Sequence, residues 1–87
     1  MWCCMIIEKV DEPVRVLAVF SGGDVSPIRF RWKSREMDVE RINARWLDRH
    51  GDDCDHHYSV QAGEETYYLH FSNHDMQWWL DQVVLEG

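Results

Sequence analysis

No lysine or arginine follows Arg49. All nine basic side chains lie between Lys9 and Arg49, while residues 50–87 carry eight acids: Asp52, Asp53, Asp55, Glu64, Glu65, Asp75, Asp81 and Glu86. The formal net charge is −7. A generic nucleic-acid binder needs a positive footprint, and the C-terminal half of this chain supplies none. Residues 1–49 are close to neutral, with nine bases against eight acids, so the expected surface is polarised. Also missing is any run near eighteen apolar residues, the length a membrane-spanning helix requires. There is no internal repeat, low-complexity tract or linker, and there are only two prolines, Pro13 and Pro27. Collagen, coiled coil and disordered tail are therefore excluded. A disordered chain would not hold eleven aromatics, five of them tryptophan.

Cysteine is scarce and odd in number: Cys3, Cys4 and Cys54. The opening Met1-Trp2-Cys3-Cys4-Met5-Ile6-Ile7-Glu8-Lys9 has no basic leader, and its apolar run is short, so no secretory signal is expected there. The expected setting is the cytoplasm with reduced thiols, and a strained Cys3–Cys4 bridge is not expected. With 87 residues of ordinary globular composition, one domain over 1–87 is expected, residues 1–12 forming an edge strand or a loose arm.

Strand signals dominate. Val14 to Phe20 is rich in β-branched residues and ends at the turn signal Ser21-Gly22-Gly23-Asp24. After Pro27, Ile28, Phe30 and Trp32 alternate with Arg29, Arg31 and Lys33, the pattern of a half-buried strand. Residues 36–49 read in two ways. Val39, Ile42, Trp46 and Leu47 fall at helical spacing; Met37 and Val39, then Ile42, Ala44 and Trp46, fit a strand with a one-residue slip near Glu40-Arg41. Neither end carries a strong helix cap, and the bulged strand is the preferred reading. His57–Val60 and Thr66–Phe71 flank a Gly-containing link and read as a hairpin. Gln77–Leu85 reads as the closing strand, with a bulge placed between Asp81 and Val83 that leaves the inward choice of Val83 or Val84 open.

The fold class that follows is mainly β: a small antiparallel sheet of five or six strands curled into a barrel-like or sandwich domain, with at most one helix, over 36–49. The expected core is Val16, Ala18, Phe20, Phe30, Trp32, Val39, Trp46, Tyr58, Val60, Leu69, Phe71, Trp78 and Leu80. Tyr67-Tyr68 and Trp78-Trp79 are neighbours, and strand neighbours point to opposite faces. Both faces of the C-terminal sheet therefore carry large aromatics, and the second face needs cover from the N-terminal segment, a ligand or another subunit. A homodimer answers that need most simply.

In order along the chain, Pro27-x-x-Phe30-x-Trp32, Met37-x-Val39, Arg45-Trp46, Tyr58-x-Val60, Gly63, Tyr68-Leu69 and Trp78-x-Leu80-x-x-Val83 resemble a small bacterial domain of unknown function. That domain occurs alone and at the C-terminal end of mutasome-type, Y-family-polymerase-like proteins. The resemblance covers residues 13–86 and implies a β-rich accessory module, with DNA repair as the company the domain keeps. The positions that carry it are hydrophobic and turn positions, a fold signature and not an active site. The chain departs from the pattern near residue 35, where Arg35, Glu36 and Met37 stand in place of Gly and an aromatic. Its C-terminal half is also less basic.

Four chemistries have candidate residues. His50, Cys54, His56 and His57 crowd together with Asp52, Asp53 and Asp55, and His70 and His74 follow; Cys and His are the ligands zinc prefers. The ligand pairs a zinc site uses are absent, and adjacent His56 and His57 point apart on a strand, so a polar loop is expected and no metal or other cofactor is assigned. Cys54 beside Asp55 and His56 has the residue types of a thiolate–imidazole pair, but no oxyanion turn supports it, and Ser21-Gly22-Gly23 lacks a phosphate-loop pattern. No enzyme activity is expected. Arg29, Arg31 and Lys33 form a basic stripe which, with Tyr68 or Trp79 as stacking platforms, fits a single-stranded nucleic acid. Arg35, Arg41, Arg45 and Arg49 extend the stripe along the chain, but Glu36, Asp38, Glu40 and Asp48 interleave with them and the whole chain is acidic, which weakens that reading. Tyr68 and Trp79 with the polarised charge fit a protein interface better. The function expected from the sequence is a non-catalytic, self-associating interaction module, with single-stranded nucleic-acid binding as the alternative.

Overall fold

Two-residue turns set the register of the chain. Gly22 and Gly23 both take positive φ (57° and 86°), the geometry of the tight turn whose twist matches paired strands. They join β1 (Met5–Ser21) to β2 (Asp24–Trp32). Lys33 and Ser34, also at positive φ, lead into β3 (Arg35–Asp38). After Val39 and Glu40 comes β4 (Arg41–His50), then β5 (Asp53–Ala62), β6 (Glu65–Ser72) and β7 (Gln77–Glu86). The structure, a computed structural model, describes residues 5–86. Cys3 and Cys4 lie outside the described residues. The seven strands form one antiparallel sheet in the order β3-β2-β1-β7-β6-β5-β4, and the described residues hold no helix.

The sheet curls into a half-barrel because β1 serves both of its halves. Residues 5–14 pair with β7, and residues 15–21 pair with β2. The bend falls where the register slips between Lys9 and Glu12 and Asp11 takes a φ of 49°. A bulge of this kind sharpens twist and turns a strand from one layer into the next. The expected edge strand over 1–12 and the Val14–Phe20 strand are thus one element in the described part. The two halves meet across aromatics: Phe30 lies 4.9 Å from Tyr67 between ring centroids, and Trp32 lies 6.3 Å from the same ring. The Tyr58 hydroxyl donates to the Val25 carbonyl at 2.6 Å and ties β5 to β2. Phe30, Val60, Leu69, Leu80 and Val83 are fully buried between the halves.

Two core expectations, Trp46 and Phe20, are corrected, and so is the placing of Ile28 on one face with Phe30 and Trp32. Trp46 is 46% exposed, because the register slips between Ile42 and Ala44 and every later side chain of β4 changes face. Phe20 is 64% exposed, since it sits at the end of β1 beside the turn, where it meets Phe71 edge-on at 6.4 Å. Ile28 is 43% exposed: the register slips between Leu17 and Ala18, Ile28 becomes the extra residue, and Pro27 takes the inward position. Proline is tolerated there because a bulge leaves its missing N–H unneeded. Residues 36–49 hold no helix but two strands, separated at Val39-Glu40, with the bulge at Asn43. In β7 both Val83 and Val84 are buried, and the bulge falls at Asp81, opposite the Tyr68–Leu69 step.

Candidate functional site

Alternation along β5, β6 and β7 sends Tyr58, Val60, Tyr67, Leu69, Phe71, Trp78 and Leu80 inward. The outer face of the same strands receives His57, Ser59, Tyr68, His70 and Trp79. Register then aligns four rings across four strands: Trp46 pairs with His57, His57 with His70, and His70 with Trp79. Trp46 stacks on His57 (5.3 Å, 4°), His57 faces His70 (5.2 Å, 32°), and His70 stacks on Trp79 (6.3 Å, 8°). Tyr68 meets Trp46 edge-on at 6.5 Å. These rings cover one another, which is how Tyr68 and Trp79 become half-buried on an outer face that no other strand of the described residues covers. Trp46, at the end of the row, keeps one side open to solvent.

Asp81 closes the row from β7. Its Oδ1 lies 2.7 Å from His70 Nδ1, and its Oδ2 lies 3.9 Å from His57 Nδ1. The hydrogen bond to Asp81 raises the His70 pKa despite the opposing effect of burial, with further support from Asp55 and Asp11. Burial lowers the His57 pKa, and the charge of His70 lowers it further, against Asp81, Asp55 and Asp48. The two histidines therefore act on stability in opposite senses around their ordinary value of 6.5. His70 stabilises the folded chain fully below that value, and the contribution is lost as pH rises through its raised folded pKa. His57 resists protonation when folded, so its contribution is lost as pH falls through its lowered folded pKa. Replacing His57 by Phe keeps a ring against Trp46 and removes only the second effect. The stability of H57F relative to the unsubstituted chain is expected to improve as pH falls from above 6.5 to below it, through the lowered folded pKa of His57. Denaturant midpoints at a series of pH values check this, and a pH-independent difference would contradict it.

The residues singled out in the sequence do not gather in one place. Tyr68 and Trp79 belong to the row just described. Arg29 and Arg31 lie exposed on the outer side of β2, and Arg29 Nε donates to Asp38 Oδ1 at 2.7 Å. Lys33 lies beyond β2, in the turn, with its Nζ 4.6 Å from the Trp32 ring centroid. The His50–His57 segment does not gather on one point. His50 Nε2 approaches Asp48 (3.3 Å) and Asp55 (3.5 Å), whereas His57 faces His70. His74 Nδ1 approaches Asp53 at 3.4 Å. Cys54 is a free, half-buried thiol whose backbone N–H donates to Asn73 Oδ1 at 2.9 Å. Asp81 is the functional residue that sequence reasoning passed over; His70 is named in the sequence among the histidines that follow the His50–His57 segment, without its pairing to His57. The hairpin turn at Gly63-Glu64 already sets His70 opposite His57; Asp81 needed the position of the β7 bulge.

A second surface feature is β4 itself. It is the edge of its half of the sheet, ten residues long, and Ile42 is its one residue that is not exposed. Trp46 and Leu47 are 46% and 43% exposed on it, on opposite faces. Edge strands with unpaired backbone groups and apolar side chains are templates for a further strand. A groove of about 270 Å³ opens beside it, lined in part by Arg45, Trp46, Leu47, His56 and Tyr58.

Comparison with known proteins gives no match: no protein-family model, no curated protein and no solved structure is similar to this chain.

Proposed function

We propose that this chain is a non-catalytic interaction module that associates with a second copy of itself by pairing β4 edge to edge. The observation that carries this reading is the free β4 edge, exposed along its length and bearing Trp46 and Leu47. A two-fold pairing of β4 is antiparallel, so each residue meets one on the same face. Placing Trp46 opposite Trp46 of the second copy sets Arg45 against Leu47 and Ala44 against Asp48. No two like charges then face each other. Sliding the register by one pair in one direction brings Arg45 against Arg49, and centring it on Arg45 or Asp48 opposes identical charges; directly opposed like charges destabilise a sheet. The favoured register also extends the Trp46–His57–His70–Trp79 row through the dyad, joining the aromatic faces of both copies. Two-fold pairs are the commonest assemblies of soluble chains, and aromatic anchors contribute most of the binding energy of such contacts.

Light scattering on the full chain, diluted from the high to the low micromolar range, tests this reading. The expected mass is twice 10.4 kDa at the concentrated end, falling towards the single-chain mass on dilution. A single-chain mass at every concentration would overturn it.

One observation favours a second reading. Arg15 stands directly opposite Arg31, and with Lys33 they line an open groove together with Pro13, Val14, Ser34 and Gln77. Three bases and no acid line that groove, which suits a phosphate backbone and the repair setting that the family resemblance implies. On this reading, binding of a single-stranded oligonucleotide falls steeply with added salt, because phosphate contacts release counterions.

A further inference from the structure

We propose that His57, His70 and Asp81 form a binding site for one divalent transition-metal ion, zinc by its ligand chemistry, on the outer face of β5, β6 and β7. This site goes beyond self-association and does not depend on it. The strands bring together three ligand atoms, one imidazole nitrogen from each histidine and one carboxylate oxygen, all within 4.8 Å of one another. Each ligand comes from a different strand, and each of those strands is hydrogen-bonded to a neighbour on both sides. A site on such a frame is held more precisely than one on a loop. Tetrahedral zinc with bonds of about 2.0–2.1 Å places its donors about 3.3 Å apart. Rotation of the side chains about their own bonds closes the remaining distance of about 1.5 Å or less without moving a strand.

The donor set selects the ion. Two imidazoles and one carboxylate suit borderline ions such as zinc, whereas calcium and magnesium demand oxygen ligands. One carboxylate neutralises half the ion's charge, and the net charge of −7 favours a cation further. Three protein ligands leave a fourth position open to water or to an outside donor, the arrangement of zinc sites that bind or activate a ligand. Trp46 and Trp79 lie face-on against the two histidines and fix the planes of their rings. The side chains of His57 and His70 are each 20% exposed, whereas those of His50 and His74 in the turns are well over half exposed. His57 Nδ1, at 3.9 Å from Asp81 Oδ2, is beyond hydrogen-bond distance, so an ion between them would satisfy a group that the Asp81–His70 contact leaves out.

Isothermal titration of the metal-free full chain with zinc tests the site, with thermal melts run alongside. One ion per chain is expected. Zinc at about a hundredfold over its Kd should raise the melting temperature by about 10–20 °C. H70Q and D81N should each weaken binding about a hundredfold or more, since even outer-shell changes cost 10–100-fold. H50Q and H74Q should leave it unchanged. Copper, which quenches nearby indoles, should lower tryptophan emission in the unsubstituted chain and not in D81N. Circular dichroism identifies any variant that fails to fold; if H70Q does, D81N and H57Q decide. The absence of zinc binding overturns the proposal. So does binding that survives in D81N and H70Q, and so does binding lost only in H50Q or H74Q, which would place the ion in the acidic turns.

Discussion

Phe30→Ala is expected to lower the stability of the chain by about 3–5 kcal/mol, the range for deleting a buried phenyl ring. For a domain of this size the melting temperature should fall by on the order of 20 °C. Phe30 is 1% exposed and lies against Tyr67, so it joins the β1–β2–β3 half of the sheet to the β4–β7 half. Neighbouring apolar positions give the contrast. Phe20 is 64% and Ile28 43% exposed, and their alanine variants should cost less than about 1 kcal/mol each. Chemical denaturation followed by circular dichroism separates the three. A loss in Phe20→Ala equal to that in Phe30→Ala would show that the halves are held elsewhere than across Phe30 and Tyr67.

Trp46→Lys is expected to weaken self-association at least about 30-fold, the effect of losing about 2 kcal/mol at a central aromatic anchor. A two-fold contact contains Trp46 twice, so the variant removes two anchors and sets two like charges against each other at the dyad. The fold should survive, because Trp46 is about half exposed and its main intramolecular contact is the stack on His57. That stack accounts for about 0.5–1.5 kcal/mol. Leu17→Lys, on the exposed outer side of β1, is the matched control and should leave association unchanged. Equal weakening by both substitutions would indicate general stickiness of exposed apolar groups and not a β4 contact.

The sequence was most legible where period and turn chemistry agreed. Gly63-Glu64 between two β-rich runs fixes the β5–β6 register, and the alternation of Tyr67 with Tyr68 and of Trp78 with Trp79 correctly divides each pair between faces. The antiparallel, curled, all-strand architecture follows from such local signals repeated along the chain. Bulges were the obscure part. Each one shifts the side-chain period by a residue, and nothing in Ile42-Asn43-Ala44 marks which position is the extra one. One such slip moved Trp46 from the expected core to the outer face, another exchanged Ile28 for Pro27, and a third turned Asp81 towards His70. The candidate site sits where those slips matter. Tyr68 and Trp79 were visible as outer aromatics, but the company of Trp46, His57, His70 and Asp81 depended on registers that local pattern does not contain. The expected need to cover the second aromatic face was met in part by the rings stacking on one another.

Hydrogen exchange of the β4 amides at high and low protein concentration tests the central claim most directly. Pairing of β4 with a second copy buries the backbone groups along its free edge, so the outward amides of Arg41–His50 should exchange markedly more slowly in the concentrated sample, while those of β3 and of residues 15–21 of β1 stay unchanged. Identical exchange of β4 at both concentrations, or slowing confined to β1, would contradict edge-to-edge association through this strand.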